Sequence, residues 1–413
     1  MTTWTDAQPA PTLRQDAAVI GLVGVAHGVS HFSQLLLAPL FPWLKEAFQL
    51  SYTQLGLLLT IFFVVSCAVQ TASGFVVDRF GPRPVLLLGL GLSGSAALGF
   101  SASGSYATLA LWSVVAGMGN GVFHPVDYTL LNHKVSKARL GHAYSVHGIT
   151  GSLGWALAPA LLVPVAMAQG WRAALWCAAA VALSVLALVW WHRDHLMLEP
   201  QRPDAGAPGA KTVPAGDTFG FLRIPAVWMC FAFFFFYAGA LSVVQTYAPE
   251  AAHQLHDVPL RLVALCLSVY MVCSACGMVL GGFLASDPAR CERIVGSAFG
   301  VAATLALLGG LGSVPGWSVP LLFGAMGFVS GMAGPSRDLL VKRSTPEGAT
   351  GRVYGVVYSG LDIGQAVMPL LFGRLMDLHL YASVWVGLAA LQVVLIASAF
   401  NVRRVRREAL AAG

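Results

Sequence analysis

The chain has 413 residues, of which 57% are hydrophobic and only 10% charged, with a net charge of +6. A soluble domain carries about a quarter charged residues, so this composition argues against a soluble enzyme, and the basic surplus lies between apolar runs rather than in a nucleic-acid-binding patch. The runs Ala17–Leu44 and Pro84–Val126 contain no Asp, Glu, Lys or Arg, and each exceeds the ~20 apolar residues that cross a bilayer.

These runs are continuous rather than alternating, which selects helices over a barrel. The polar N-terminus precedes a first run too long and too glycine-punctuated for a cleaved signal, so it reads as a permanent span. Spans are expected at 17–44, 52–77, 84–103, 106–132, 139–168 and 171–192, then at 223–250, 259–286, 291–313, 316–342, 350–376 and 380–402. The fold class is therefore all-α, a membrane protein of twelve transmembrane helices. Between the two sets, Arg193–Leu222 carries Pro200, Pro203, Pro208 and Pro214 with four glycines, the composition of a flexible connection. The expected division is a six-helix bundle over 1–192, a linker over 193–222, a second bundle over 223–402 and a basic tail over 403–413. Lys and Arg concentrate on one side of this arrangement, including Arg79, Arg83, Lys134, Lys137, Arg139, Lys342 and Arg343. By the positive-inside rule both termini are cytoplasmic.

The stretch from Gly117 to Leu161 repeats 210 residues later. Gly117, Gly121 and Pro125 align with Gly327, Gly331 and Pro335; Gly141, Tyr144, Gly154 and Pro159 align with Gly351, Tyr354, Gly364 and Pro369. An even number of helices separates the copies, so they are parallel repeats, an arrangement in which transporters hold substrate between the halves. The seven cysteines form no disulfide framework, and Cys273-x-x-Cys276 reads as small packing residues rather than a metal motif.

The loop after the second span reads Gly74-Phe-Val-Val-Asp78-Arg79-Phe-Gly81-Pro-Arg83. With the twelve spans, the linker and the repeat, it resembles the signature of the major facilitator superfamily. That resemblance implies a cytoplasmic gate of Gly74, Asp78, Arg79, Gly81 and Arg83, in which Gly74 admits a close neighbour and Arg79 pairs with an acid on helix 4. Asp127 is the acid available there. Phe123-His124-Pro125 on helix 4 resembles the fosmidomycin-resistance branch, bacterial drug exporters driven by proton antiport. Gly148, Gly151, Gly154 and Pro159 resemble the glycine–proline helix of antiporters, with Ala158 departing from it.

Ionisable groups inside apolar spans are costly and usually face an interior or a water-filled cavity. His27 and His31 share one face of helix 1, His124 and Asp127 lie on helix 4, His147 on helix 5, Arg337 near the end of helix 10 and Asp362 midway along helix 11. His27, His31, His124, His147, Arg337 and Asp362 are the candidates for proton coupling or substrate contact, histidine being the side chain that titrates near neutral pH. Gln34, Gln245, Tyr237 and Gln365 are weaker candidates for a substrate pocket, Tyr237 ending the aromatic run Phe231–Tyr237. The expected activity is secondary transport by alternating access, in the form of proton-coupled export of a small drug-like or anionic compound. The alternatives are transport of a metal ion or chelate through the helix 1, 4 and 5 histidines, or proton-coupled import of a small organic anion. No enzymatic activity, cofactor, resident metal or nucleic-acid partner is expected. The chain is expected to be a monomer in the bacterial inner membrane, with a small molecule and protons as its partners.

Overall fold

The structure, a computed structural model, describes residues 12–198, 225–284, 290–311, 314–344 and 350–412, and among these all side chains except 78, 226, 337–344, 350–358 and 399–412. The described residues form helices and no strands. In chain order these are α1 (Leu13–Gln34), α2 (Phe41–Phe48), α3 (Tyr52–Phe80), α4 (Pro82–Ala102), α5 (Tyr106–Asn120), α6 (Phe123–Lys134), α7 (Leu140–Gln169) and α8 (Trp171–Trp191). The second repeat comprises α9 (Pro225–Thr246), α10 (Ala248–His256), α11 (Leu260–Leu284), α12 (Cys291–Leu311), α13 (Val319–Ser344), α14 (Thr350–Asp377) and α15 (Tyr381–Ala412). Eleven segments among the described residues are long and apolar enough to cross a membrane. The 28-residue α14, which packs on α3 and α9, completes the twelve.

Local chemistry sets the helix ends. Thr12 Oγ1 accepts from Gln15 N at 3.3 Å while Gln15 Oε1 accepts from Thr12 N at 2.8 Å, a capping box that satisfies the first turn of α1. Ser51 and Gln54 start α3 in the same way. The turn from α3 to α4 rests on Gly81, whose φ of 81° lies in a region other residues avoid.

Three of the expected spans are broken rather than continuous. The first divides into α1, a 3-10 turn at Ala38–Leu40 and α2, because Pro39 and Pro42 lack the amide that would continue the helix. The seventh divides into α9 and α10 at Tyr247, with Pro249 in the first turn of α10. The fourth breaks between α5 and α6, where Pro125 offers no donor to the Gly121 carbonyl; Ser73 Oγ, which lies 3.0 Å from the Gln70 carbonyl of its own helix, shares its hydroxyl with that carbonyl at 3.3 Å. Arg193–Leu196 forms a 3-10 turn with Leu196 buried against the first repeat, and the rest of the expected linker from 199 lies outside the described residues.

The repeated glycines mark helix crossings. A Cβ on Gly117 or Gly121 would meet the Phe62 or Ser66 carbonyl of α3; one on Gly327 or Gly331 would meet the Tyr270 or Ser274 carbonyl of α11. Likewise Gly154 lies against the Gly28 carbonyl of α1, and Gly364 against the Phe235 carbonyl of α9. Backbones approach this closely only where a side chain is absent, the usual means of helix association in a membrane.

The repeats are joined along α3 and α14. Asp377 accepts from Tyr52 N at 2.6 Å and Thr53 N at 3.0 Å, Tyr52 Oη donates to Glu250 at 3.0 Å, and Thr60 Oγ1 donates to the Ala366 carbonyl at 2.6 Å. Tyr247 Oη, fully buried, donates to the Tyr52 and Pro369 carbonyls. These bonds lie toward the end bearing residues 49–51 and 378–380. At the opposite end Phe75 and Phe283 are 79% and 75% exposed, and Gly74, Gly141 and Gly282 have no neighbour among the described residues within 4 Å of a Cβ.

Candidate functional site

Helices α1, α6 and α7 bring five of the sequence candidates together inside the first repeat. Asp127 is fully buried, and its Oδ2 lies 3.0 Å from His27 Nδ1 and 3.1 Å from His147 Nε2. The His27 and His147 rings stack with centroids 3.5 Å apart. His31, one turn along α1, sits 4.3 Å from His27, and His124 lies 5.4 Å from it. His31 also stacks on Trp155 at 4.1 Å. His31 Nδ1 and Asp127 Oδ1 are buried without a hydrogen-bond partner.

The sequence makes room for these rings at one position. A Cβ on Gly151 would lie 2.8 Å from His31 Nδ1 and 3.0 Å from His27 Nε2. The glycine series on helix 5 therefore has two functions here, with Gly154 seating α7 on α1 and Gly151 leaving space for the imidazoles. At the exposed edge of the cluster, His124 is half-buried and stacks toward Tyr128.

One turn deeper, a run of amides and hydroxyls continues the polar strip. Asn120 Oδ1 accepts from Ser30 Oγ at 2.9 Å and Gln34 Nε2 at 3.2 Å, while Asn120 Nδ2 donates to Ser66 Oγ at 2.8 Å. Trp155 Nε1 donates to Gln34 Oε1 at 2.9 Å. Gln34 was a sequence candidate; Asn120, Ser30, Ser66 and Trp155 were not. The available signal was the amide of Asn120 between two glycines in an otherwise apolar run. The sequence also gives no sign of a half-buried ion pair: Asp16 Oδ2 accepts from Arg139 Nε at 2.6 Å and from Ser136 Oγ at 2.7 Å, tying α1 to the turn before α7.

The remaining candidates lie elsewhere. Asp362 is half-buried in a cleft of about 240 Å³ between α3 and α14, where its Oδ2 accepts from Gln70 Nε2 at 3.1 Å. Gln365 Nε2 donates to Gln245 Oε1 at 3.3 Å, leaving Gln245 Nε2 buried without a partner. Tyr237 packs edge-on to Phe299 within a cluster on α9, α12, α13 and α15. The side chain of Arg337 lies outside the described residues.

Two gate expectations differ from this conformation. Asp127 faces α1 and α7 and bonds two histidines, whereas Arg79 is exposed at the end of α3 with its guanidinium 5.4 Å from the Phe80 ring. The expected Arg79–Asp127 pair is therefore not formed. Among the described residues none lies within 4 Å of a Cβ at Gly74, so the expected close neighbour is not seen there. Arg83 is half-exposed, and the side chain of Asp78 lies outside the described residues.

Twelve membrane-crossing segments in two parallel repeats, joined at one end and with a buried polar cluster inside the first repeat, are the architecture of a membrane transporter. The chain belongs to the Major Facilitator Superfamily, whose sequence profile matches residues 23–369. It is similar to the fosmidomycin resistance protein of Escherichia coli (strain K12), at 25% identity over 294 residues and 70% of each chain. It is also similar to the "Probable sulfoacetate transporter SauU" of Cupriavidus necator, at 23% identity over 280 residues and 64% of each chain, so it spans slightly less than two thirds of that relative. Among solved structures, a bacterial homolog of the human lysosomal transporter Spinster shares the fold, with a TM-score of 0.76 at 14% identity over 96% of this chain and 98% of that one. The relatives are bacterial, which together with the twelve helices makes this a multi-pass protein of the inner membrane.

Proposed function

We propose that the chain is a proton-coupled antiporter that works by alternating access and exports a small drug-like or anionic compound. The observation that supports coupling is the bond between Asp362 and Gln70. It crosses from one repeat to the other, so a proton gained or lost there acts directly on the contact that must change when the repeats rock. An ionised Asp362 accepts from the Gln70 amide through a charge-assisted bond; a protonated one keeps only a weaker neutral acceptor and gains a donor of its own, and this difference biases the balance of the two states. Export of a drug-like compound is supported by the similarity to the fosmidomycin resistance protein, and an anionic substrate by the sulfoacetate relative. The substrate-facing surface in this reading is the histidine edge at His124 and the amides of Gln34 and Asn120.

With both termini cytoplasmic, the joined end faces outward and the structure corresponds to an inward-open state. Rocking of the 1–192 and 223–402 bundles about the 193–222 linker then brings Gly74, Asp78, Arg79, Gly81 and Arg83 against the second repeat. The open flank of Gly74 is the space that this closure fills. The working unit is a monomer.

Reconstituted vesicles test the coupling, with fosmidomycin and sulfoacetate as probes. A pH gradient should drive one of them opposite to the proton flow. Asp362→Asn should lose that response while keeping substrate exchange without a gradient. An unaltered gradient response in Asp362→Asn rejects the coupling role, and movement in the same direction as protons identifies an importer instead.

A further inference from the structure

The histidine cluster contains two triads that share His27, and they are not equivalent. In the first, His27, Asp127 and His147 satisfy one another, since both imidazoles bond the same carboxylate oxygen. In the second, His27, His31 and His124 place their ligand nitrogens within 4.8 Å of one another. His31 Nδ1 has no partner, and His124 bonds no described residue.

The first triad prepares the second. His27 Nδ1 lies 3.0 Å from the Asp127 carboxylate; with that carboxylate ionised, Nδ1 donates to it and Nε2 is left with a free lone pair. His27 Nε2 and His31 Nδ1 lie side by side over Gly151, 3.0 and 2.8 Å from where its missing Cβ would stand. A carboxylate that fixes a ring through one nitrogen while the other binds an ion is the usual outer support of a histidine metal site.

We propose that His27, His31 and His124 bind a divalent transition-metal ion, with Asp127 as the residue that positions His27. Three neutral imidazoles suit zinc, cobalt, nickel or copper rather than magnesium or calcium, which select oxygen ligands. Metal–nitrogen bonds of 2.0–2.1 Å bring tetrahedral ligands to about 3.4 Å from one another, so one ring must swing inward. His124 is the ring free to do so, being half-buried and unbonded to its described neighbours. It also lies at the exposed edge beside Tyr128, which gives an ion its route in. Three protein ligands leave a fourth position for water or for an anionic group on a transported compound. The site goes beyond the transport reading and does not depend on coupling at Asp362.

The test uses the full chain in detergent without a polyhistidine tag. Cobalt(II) serves as the probe, because a four-coordinate ion gives strong visible bands, with zinc(II) as the competitor. The expected result is about one cobalt ion per chain, displaced by zinc. The bands should be lost in His31→Gln and in His124→Gln and retained in Cys276→Ser. Asp127→Asn should bind roughly 10–100-fold more weakly, with the band positions altered. Thermal unfolding of each variant establishes that it is folded, and if His31→Gln is not, His124→Gln decides, since its ring packs most loosely. Absence of bands in the unaltered chain, bands that survive His124→Gln, or bands that vanish with Cys276→Ser would each overturn the proposal. None of these outcomes bears on the gradient response of Asp362→Asn, so the two readings fail separately.

Discussion

Gly148 and Gly151 lie one turn apart on α7 and look alike in the sequence, yet their surroundings differ. Nothing approaches a Cβ at Gly148, whereas one at Gly151 would strike the His27 and His31 rings. Gly151→Ala should therefore cost about 1–3 kcal/mol as overpacking and displace the histidine rings. Gly148→Ala should be neutral or stabilising by about 0.5–1 kcal/mol, since alanine is the better helix former. Thermal unfolding in detergent compares the two, and equal effects would refute the spatial distinction. At this scale His27, His31, His124, Asp127 and His147 were identifiable beforehand because each is expensive in an apolar span. Their convergence on one carboxylate was not, because it depends on how α1, α6 and α7 are rotated about their axes.

The helix breaks show how an element accommodates proline inside a membrane. Pro125 leaves the Gly121 carbonyl without its helical donor, and Ser73 of α3 shares its hydroxyl between that carbonyl and the Gln70 carbonyl. A serine that had no assigned role in the sequence thus stabilises the break that separates α5 from α6. Ser73→Ala should destabilise the protein by about 0.5–1.5 kcal/mol, the net worth of a shared hydrogen bond, and Ser73→Thr should recover most of it. A thermal midpoint unchanged in Ser73→Ala would show that the carbonyl finds another donor. The twelve-span pattern was readable from hydropathy alone. The division of the first, fourth and seventh spans was not, since proline in a membrane helix is tolerated whenever a neighbour supplies the missing bond.

Across the molecule, the repeats are held at one end by Asp377, which accepts two backbone amides at the start of α3 and the Thr53 hydroxyl at 2.6 Å. A carboxylate from one repeat thus caps a helix of the other, where the amide dipoles favour negative charge. Asp377→Asn keeps the shape but removes the charge and should weaken the joined end by about 1–2 kcal/mol, enough to change the ratio of the two states roughly five- to thirtyfold. A cysteine introduced at Gln49 should then label faster in Asp377→Asn than in the parent. Equal labelling rates would mean that Tyr247 and the α3–α14 packing hold this end without the carboxylate.

What the sequence determined by itself follows from energies that act along the chain. Long uncharged runs must be helices in lipid, and a 210-residue echo that pairs Gly117, Gly121 and Gly154 with Gly327, Gly331 and Gly364 must be a structural repeat. Side-chain partnership across helices was decided only by the tertiary structure. It turned Asp127 from the expected partner of Arg79 into the anchor of two histidines, and it joined Asp362 to Gln70 across the repeats. Hydropathy fixes which segments enter the membrane, but it is nearly indifferent to helix rotation and to which end of the bundle is closed. Those are set by the few polar groups that must find one another where water is absent.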